Sequence, residues 1–329
     1  MSSLTIAQPP QISEERAKAS NPIVTLGAGM FIGLVIGGGL ILLLASLDNK
    51  FYTPQEIRQA LAQRDVSVLG ELPLILPLTP DQDDTCILTE PDSPYLEFYE
   101  RFRSNLRRLE NKSLKVLLLT STVEGEGKTV SAYNLAIASA QAGKRTLLVE
   151  ADLRSQSFAK SLQVITDPDA NIEPIRYYSS NSGCIRLAPG IENLYIVPSP
   201  GPQRQAAAIL ESSELRQFLE DARGRFDFVV IDTPCLSRCN DALLLEPLID
   251  GIILVTRPSC TQESILTEAV DELTESELPL LGAIINGVEK PVSVTTTGES
   301  RTEEEPEEPS FEEPEVPEEE NIPTGAMRF

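Results

Sequence analysis

"LLLTSTVEGEGKTVSAYNLA", from Leu117 to Ala136, passes from an apolar run through glycine and acid into a stretch with helical character. "LKVLLLTS" has the length and composition of a buried strand, and "KTVSAYNLAIASAQAG" reads as a helix closed by Gly143. The glycines therefore fall at a strand-to-helix turn. Without β-carbons, Gly125 and Gly127 let backbone N–H groups point inward around an anion, at a helix N-terminus already carrying roughly half a positive charge. Lys128 adds a point cation suited to β- and γ-phosphates, and Thr129 a hydroxyl suited to Mg²⁺. The expected cradle runs through Gly125, Glu126, Gly127, Lys128, Thr129 and Val130. The strict pattern has a glycine five residues before Gly127, where Thr122 stands. A chance glycine turn followed by a solvated lysine is the bland alternative, and the order strand, GEGKT, helix argues against it.

Two more strand ends extend the reading. "KRTLLVEADLR" sets Glu150 and Asp152 just past an apolar strand, and "FDFVVIDTP" sets Asp232 just past another. In a parallel sheet the ligand crevice lies at the carboxyl ends of the strands, so the three acids are expected to converge on a metal held by Thr129. A lone acid ending a strand is ordinarily a turn residue; two such strands beside a phosphate loop are not ordinary.

Outward from this centre the chain divides into five parts. Residues 1–20 are mostly polar. Residues 21–47 carry no charge and exceed the ~20 apolar residues that span a bilayer, so a transmembrane helix is expected, with Gly29, Gly33 and Gly37 forming a stripe that would admit another helix. Residues 48–92 read as a small connector, opened by Thr53 and Pro54 at a helix start and leading into a proline-interrupted linker. Residues 93–292 alternate apolar strands with helices, the pattern of a doubly wound, mostly parallel α/β sheet. At its start Tyr95, Phe98, Tyr99, Phe102, Leu106 and Leu109 form an apolar helix stripe, with Ser93 as the expected cap and a Glu97–Arg101 pair on the outer face. Residues 293–329 are Thr-, Glu- and Pro-rich, and too poor in apolar groups to offset chain entropy, so disorder is expected.

The formal charge of 27 minus 50, or −23, argues against a nucleic-acid surface. Residues 299–329 alone carry twelve Glu against two Arg. Five cysteines without paired spacing, and no histidine, make a zinc site a poor reading and reduced thiols the better one.

The chain resembles the bacterial tyrosine kinases of the polysaccharide co-polymerase type, over roughly residues 21–288. The resemblance rests on "SVLGELP", "TVEGEGKT" as Walker A, "LLVEADLR" as the A′ motif, "FDFVVIDTP" as Walker B, "DGIILVTRP" and "LGAIIN". It implies a P-loop fold binding ATP with Mg²⁺, catalytic roles for Lys128, Glu150, Asp152 and Asp232, metal binding by Thr129, Asp152 and Asp232, and an adenine contact for Asn286. It implies a single-pass protein of the bacterial inner membrane with its ATP domain cytoplasmic, acting in exopolysaccharide or capsule production. The implied partners are further copies of the chain, polymerase and export proteins, and a separate chain carrying an extracytoplasmic domain. Three departures bear on activity: Glu150 stands where the family has Asp, Glu100 replaces the middle Arg of an E-x-x-R-x-x-R oligomer motif, and the tail has no tyrosine, Tyr195 being the last. Acceptor candidates within the chain are Tyr52, Tyr95 and Tyr99. The departures keep open a nucleotide-sensing subunit without phosphotransfer. A partition-type P-loop ATPase ranks last, because Val123 occupies the place of that group's early lysine.

Overall fold

The computed structural model describes residues 22–47, 49–75, 93, 95–109, 114–165, 167–179, 183–275 and 279–289. The expected disordered tail, residues 293–329, lies outside them. An eight-stranded sheet forms the centre, in the order β1-β8-β7-β2-β6-β3-β5-β4. Its strands are β1 (Val68–Pro73), β2 (Val116–Ser121), β3 (Thr146–Glu150), β4 (Arg186–Leu187), β5 (Leu194–Val197), β6 (Phe228–Asp232), β7 (Gly251–Thr256) and β8 (Leu280–Val288). All pairings are parallel except β4 with β5.

The helices are α1 (Pro22–Leu47), α2 (Pro54–Ala62), α3 (Leu96–Arg108), α4 (Lys128–Gln141), α5 (Pro174–Tyr177), α6 (Ala206–Leu210), α7 (Ser213–Arg225), α8 (Asp241–Leu244) and α9 (Glu263–Glu275). Every residue of β2 is buried, because helices cover both faces. Val116 and Leu118 face one core with Ile57 and Leu61 of α2, Leu215, Phe218, Leu219 and Ala222 of α7, and Leu266, Ala269, Val270 and Leu273 of α9. Leu117 and Leu119 face the other, with Tyr99, Phe102 and Leu106 of α3 and the length of α4. The period-2 alternation of a strand thus sorts four consecutive leucine and valine side chains between two layers.

Three expectations change. The connector is not a separate packed unit: "VLGELP" is the edge strand β1, paired with β8, so the sheet begins well before residue 93. Ser93 does not cap α3; Tyr95 holds the N-cap position without a side-chain bond, and the Leu96 N–H donates to the Ser93 carbonyl. Leu109, the last member of the stripe, is exposed. Other local features agree with the reading. Thr53 and Glu56 form a reciprocal capping box at α2, Glu97 pairs with Arg101, and Cys184, Cys235, Cys239 and Cys260 are free thiols.

Helix α1 is unbroken over 26 residues and includes no charged side chain. Among the described side chains no helix is long and apolar enough to cross a membrane; several of α1, Val24 and Thr25 among them, are outside that set. After α1, residues 49–51 pair with the loop after β7: the Phe51 N–H donates to the Thr261 carbonyl and the Glu263 N–H to the Asn49 carbonyl.

Candidate nucleotide site

Strand β2 and helix α4 are joined by the turn at residues 122–127. Gly125 and Gly127 hold φ of 86° and 85°, in the left-handed region where a β-carbon is disfavoured. At Gly127 the requirement is also spatial, since a β-carbon would lie 2.0 Å from the Asn286 amide nitrogen. Gly127 is the N-cap of α4 and offers no side-chain cap, so the first N–H groups of the helix remain available to an anion.

Glu126 is fully buried, and its side chain turns away from solvent. It accepts hydrogen bonds from the Thr122 hydroxyl at 2.7 Å, the Val123 N–H at 2.9 Å and the Thr261 hydroxyl. Burial pushes this carboxyl above its ordinary pKa, and the three donors oppose that shift. Thr122 thus has a role that the strict pattern's glycine lacks: it anchors the loop's own acid.

Lys128 begins α4, with its ammonium 3.5 Å from the Thr129 hydroxyl and 3.9 Å from Asp152. Asp152 follows β3 and accepts the Arg154 N–H at 3.0 Å. Asp232 ends β6, directly opposite Glu150 in the register of the two strands. It is buried, and its pKa is raised to about 7, chiefly by desolvation, against the attraction of Lys128 and a bond from Thr129. One Asp232 oxygen is buried with no hydrogen-bond partner. A buried carboxylate oxygen without a donor beside a lysine and a threonine hydroxyl is the environment a divalent cation completes, so the residues present fit Mg²⁺.

Glu150 does not join this set. Its two oxygens accept from the Tyr133 hydroxyl at 2.6 Å, the Phe158 N–H at 2.7 Å, the Ser199 N–H at 2.7 Å and the Ser157 hydroxyl at 2.5 Å. An ionised carboxylate has about four acceptor positions, and all four are taken. The expected convergence of three acids reduces to two, Asp152 and Asp232. Glu150 instead ties helix α4, the loop after β3 and the loop after β5 together. Burial, then the Glu150 charge, raises the Tyr133 pKa, so its hydroxyl remains a donor.

Asn286 of β8 donates its amide N–H to the Glu126 carbonyl at 2.9 Å. Three residues escaped notice in the sequence. Arg257 donates to the Gly125 carbonyl at 3.1 Å. Arg154 grips Asp241 with two bonds of 2.8 Å. Arg238 joins Glu124 of the phosphate loop to Ser155. A cleft of about 570 Å³ lies against this outer side, lined in part by Val123, Glu124, Arg238 and Cys260.

A parallel α/β sheet with a glycine-lysine turn after its central strand, and an acid at the tip of the next, defines a nucleotide-binding P-loop domain. The chain belongs to the CobQ/CobB/MinD/ParA nucleotide binding domain family, which matches residues 117–328. Among its relatives, "Tyrosine-protein kinase CpsD" of Streptococcus agalactiae is 30% identical over 206 residues, covering 62% of this chain and 87% of that one. "Succinoglycan biosynthesis transport protein ExoP" of Rhizobium meliloti (strain 1021) is 27% identical over 295 residues, 80% of this chain and 37% of that protein. The kinase domain of the Escherichia coli tyrosine kinase ETK superposes with a TM-score of 0.61 at 20% identity, covering 74% of this chain and 97% of that domain, and shares the fold.

Proposed function

We propose that this chain is a membrane-anchored, ATP-binding protein of the bacterial tyrosine-kinase type that regulates exopolysaccharide polymerisation and export. The observation that carries the reading is the meeting of Lys128, Thr129, Asp152 and the buried, half-satisfied Asp232 at the mouth of the glycine turn. In it the turn's backbone and Lys128 bind the triphosphate of ATP, with Gly125 to Val130 as the cradle. Thr129, Asp152 and Asp232 would hold Mg²⁺, which would neutralise charge developing on the phosphates. For transfer, a tyrosyl oxygen bonds the γ-phosphorus as the bond to the β,γ-bridging oxygen breaks, ADP leaves, and the phenolic proton passes to a carboxylate beside the site. Of the acceptor candidates within the chain, Tyr52 is exposed, Tyr95 half-buried and Tyr99 fully buried, so Tyr52 is the most accessible of the three and Tyr99 is excluded.

The membrane anchor is α1, whose 26 uncharged residues rise about 39 Å against a hydrocarbon core of about 30 Å. An ATP site requires the domain on the cytoplasmic side of the bacterial inner membrane. The partners in this reading are other copies of the chain, the polymerase and export proteins, and a chain bearing an extracytoplasmic domain.

A second reading is favoured by Glu150. With its oxygens fully engaged it is no catalytic acid, which fits a nucleotide-sensing subunit that binds ATP without transferring phosphate. Titration of the full-length protein with Mg-ATP, beside Lys128→Met, tests the shared part: wild type binds and the variant binds at least tenfold more weakly. Equal affinities would remove both readings. Anti-phosphotyrosine blotting after incubation with Mg-ATP then separates them, signal abolished by Lys128→Met marking the kinase and silence despite ATP binding marking the sensor.

A further inference from the structure

Two consecutive carbonyls of the phosphate loop are held from behind. The Gly125 carbonyl accepts from Arg257, at the end of β7, and the Glu126 carbonyl from Asn286, on the neighbouring strand β8. A trans peptide is planar, with its C=O and N–H pointing in opposite directions. Fixing the Gly125 carbonyl therefore aims the Glu126 N–H away from Arg257, and fixing the Glu126 carbonyl aims the Gly127 N–H away from Asn286. Those are the two peptide N–H groups inside the glycine turn, between Gly125 and Gly127. The Glu126 side chain, buried among Thr122, Val123 and Thr261, fixes the same segment at a third point.

The surroundings are shaped for these contacts. A β-carbon on Gly287, whose φ is 74°, would lie 2.9 Å from the Arg257 Nε, so the bare backbone there leaves the guanidinium its lane. A β-carbon on Gly127 would displace the Asn286 amide. We infer that Arg257 and Asn286 are positioning residues, a bracket that holds the phosphate loop open for an anion before any ligand arrives. Preorganised N–H donors of this kind lose no reorganisation energy on binding. Asn286 in this account acts on the phosphates through the loop, and not on the base. The inference rests on the nucleotide-site reading above.

The test compares Mg-ATP with Mg-tripolyphosphate, which has the phosphates and no base, on the full-length chain. Asn286→Asp keeps the side chain's size, removes the donor and sets an acceptor against the Glu126 carbonyl; Arg257→Met is an independent second variant, and thermal melts check that each is folded. We expect both variants to lose about tenfold in affinity for each ligand, in equal proportion. Loss for Mg-ATP with tripolyphosphate untouched would overturn the bracket in favour of a base contact. Unchanged affinity for both ligands in both folded variants would overturn it outright. A wild type that binds neither ligand would instead remove the nucleotide reading on which the bracket rests.

Discussion

At the scale of single residues, the three acids near the phosphate loop differ in what they cost the fold. Asp232 carries the uncompensated burden, and its pKa near 7 in the fold against an ordinary value of 3.8 sets the sign. The unfolded chain releases this proton at lower pH than the folded one, so stability falls as pH rises from about 4 to about 7 and is level above. Asp232→Asn is indifferent to that change. Its melting temperature in the absence of nucleotide should exceed that of wild type by a margin that grows across that interval, and a constant margin would count against the assignment. Glu150 behaves oppositely: Glu150→Ala strands four donors, three of them tied to backbone or to the buried Tyr133, and should cost about 3 kcal/mol or more in urea unfolding. Gly127→Ala meets both a positive φ and the Asn286 amide, so Mg-ATP affinity should fall below detection while the melting temperature drops only modestly. The positive-φ turn was legible because its glycines, lysine and threonine lie within five residues and need no distant partner to be recognised. The Thr261 contact to Glu126 spans 135 residues, and no local pattern announces it. The contacts of Glu150 were not legible, because a side chain's direction at a strand end depends on donors supplied by three other segments.

At the scale of elements, the same division between local and distant signals holds. Helix α2 was readable from Thr53 and Pro54, a start signal written in adjacent residues, to which the structure adds Glu56 as the other half of a capping box. Its loss is measurable: Thr53→Ala should reduce stability by about 1 kcal/mol in denaturant titration, with Thr53→Ser nearly neutral. Strand β1 was not readable, because its glycine, its terminal proline and the prolines that follow look like linker chemistry and its strand form depends on pairing with β8, more than 200 residues away. Helix α3 shows both cases. Its buried stripe of Tyr99, Phe102 and Leu106 follows from helical spacing, whereas its start slipped from Ser93 to Tyr95 because caps compete within a residue or two.

For the whole molecule, the proposed anchor and the nucleotide site are separable in experiment. Removal of residues 1–48 should release the protein from the membrane fraction while leaving Mg-ATP affinity within about twofold, because residues 49–51 retain the pairing with the loop after β7. Retention of the shortened chain in washed membranes would refute α1 as the anchor. A second consequence follows from how the sheet ends. One margin is the two-residue β4; the other is β1, where Asn105 occupies the Leu69 carbonyl and Pro73 has no N–H to offer. Among the described residues neither margin is a template that a foreign strand can extend. If copies of this chain assemble as proposed, blunted sheet margins of this kind favour contacts made by side chains on helices and loops, which can be taken apart again, over a continuous ribbon that, once zipped, would be hard to undo.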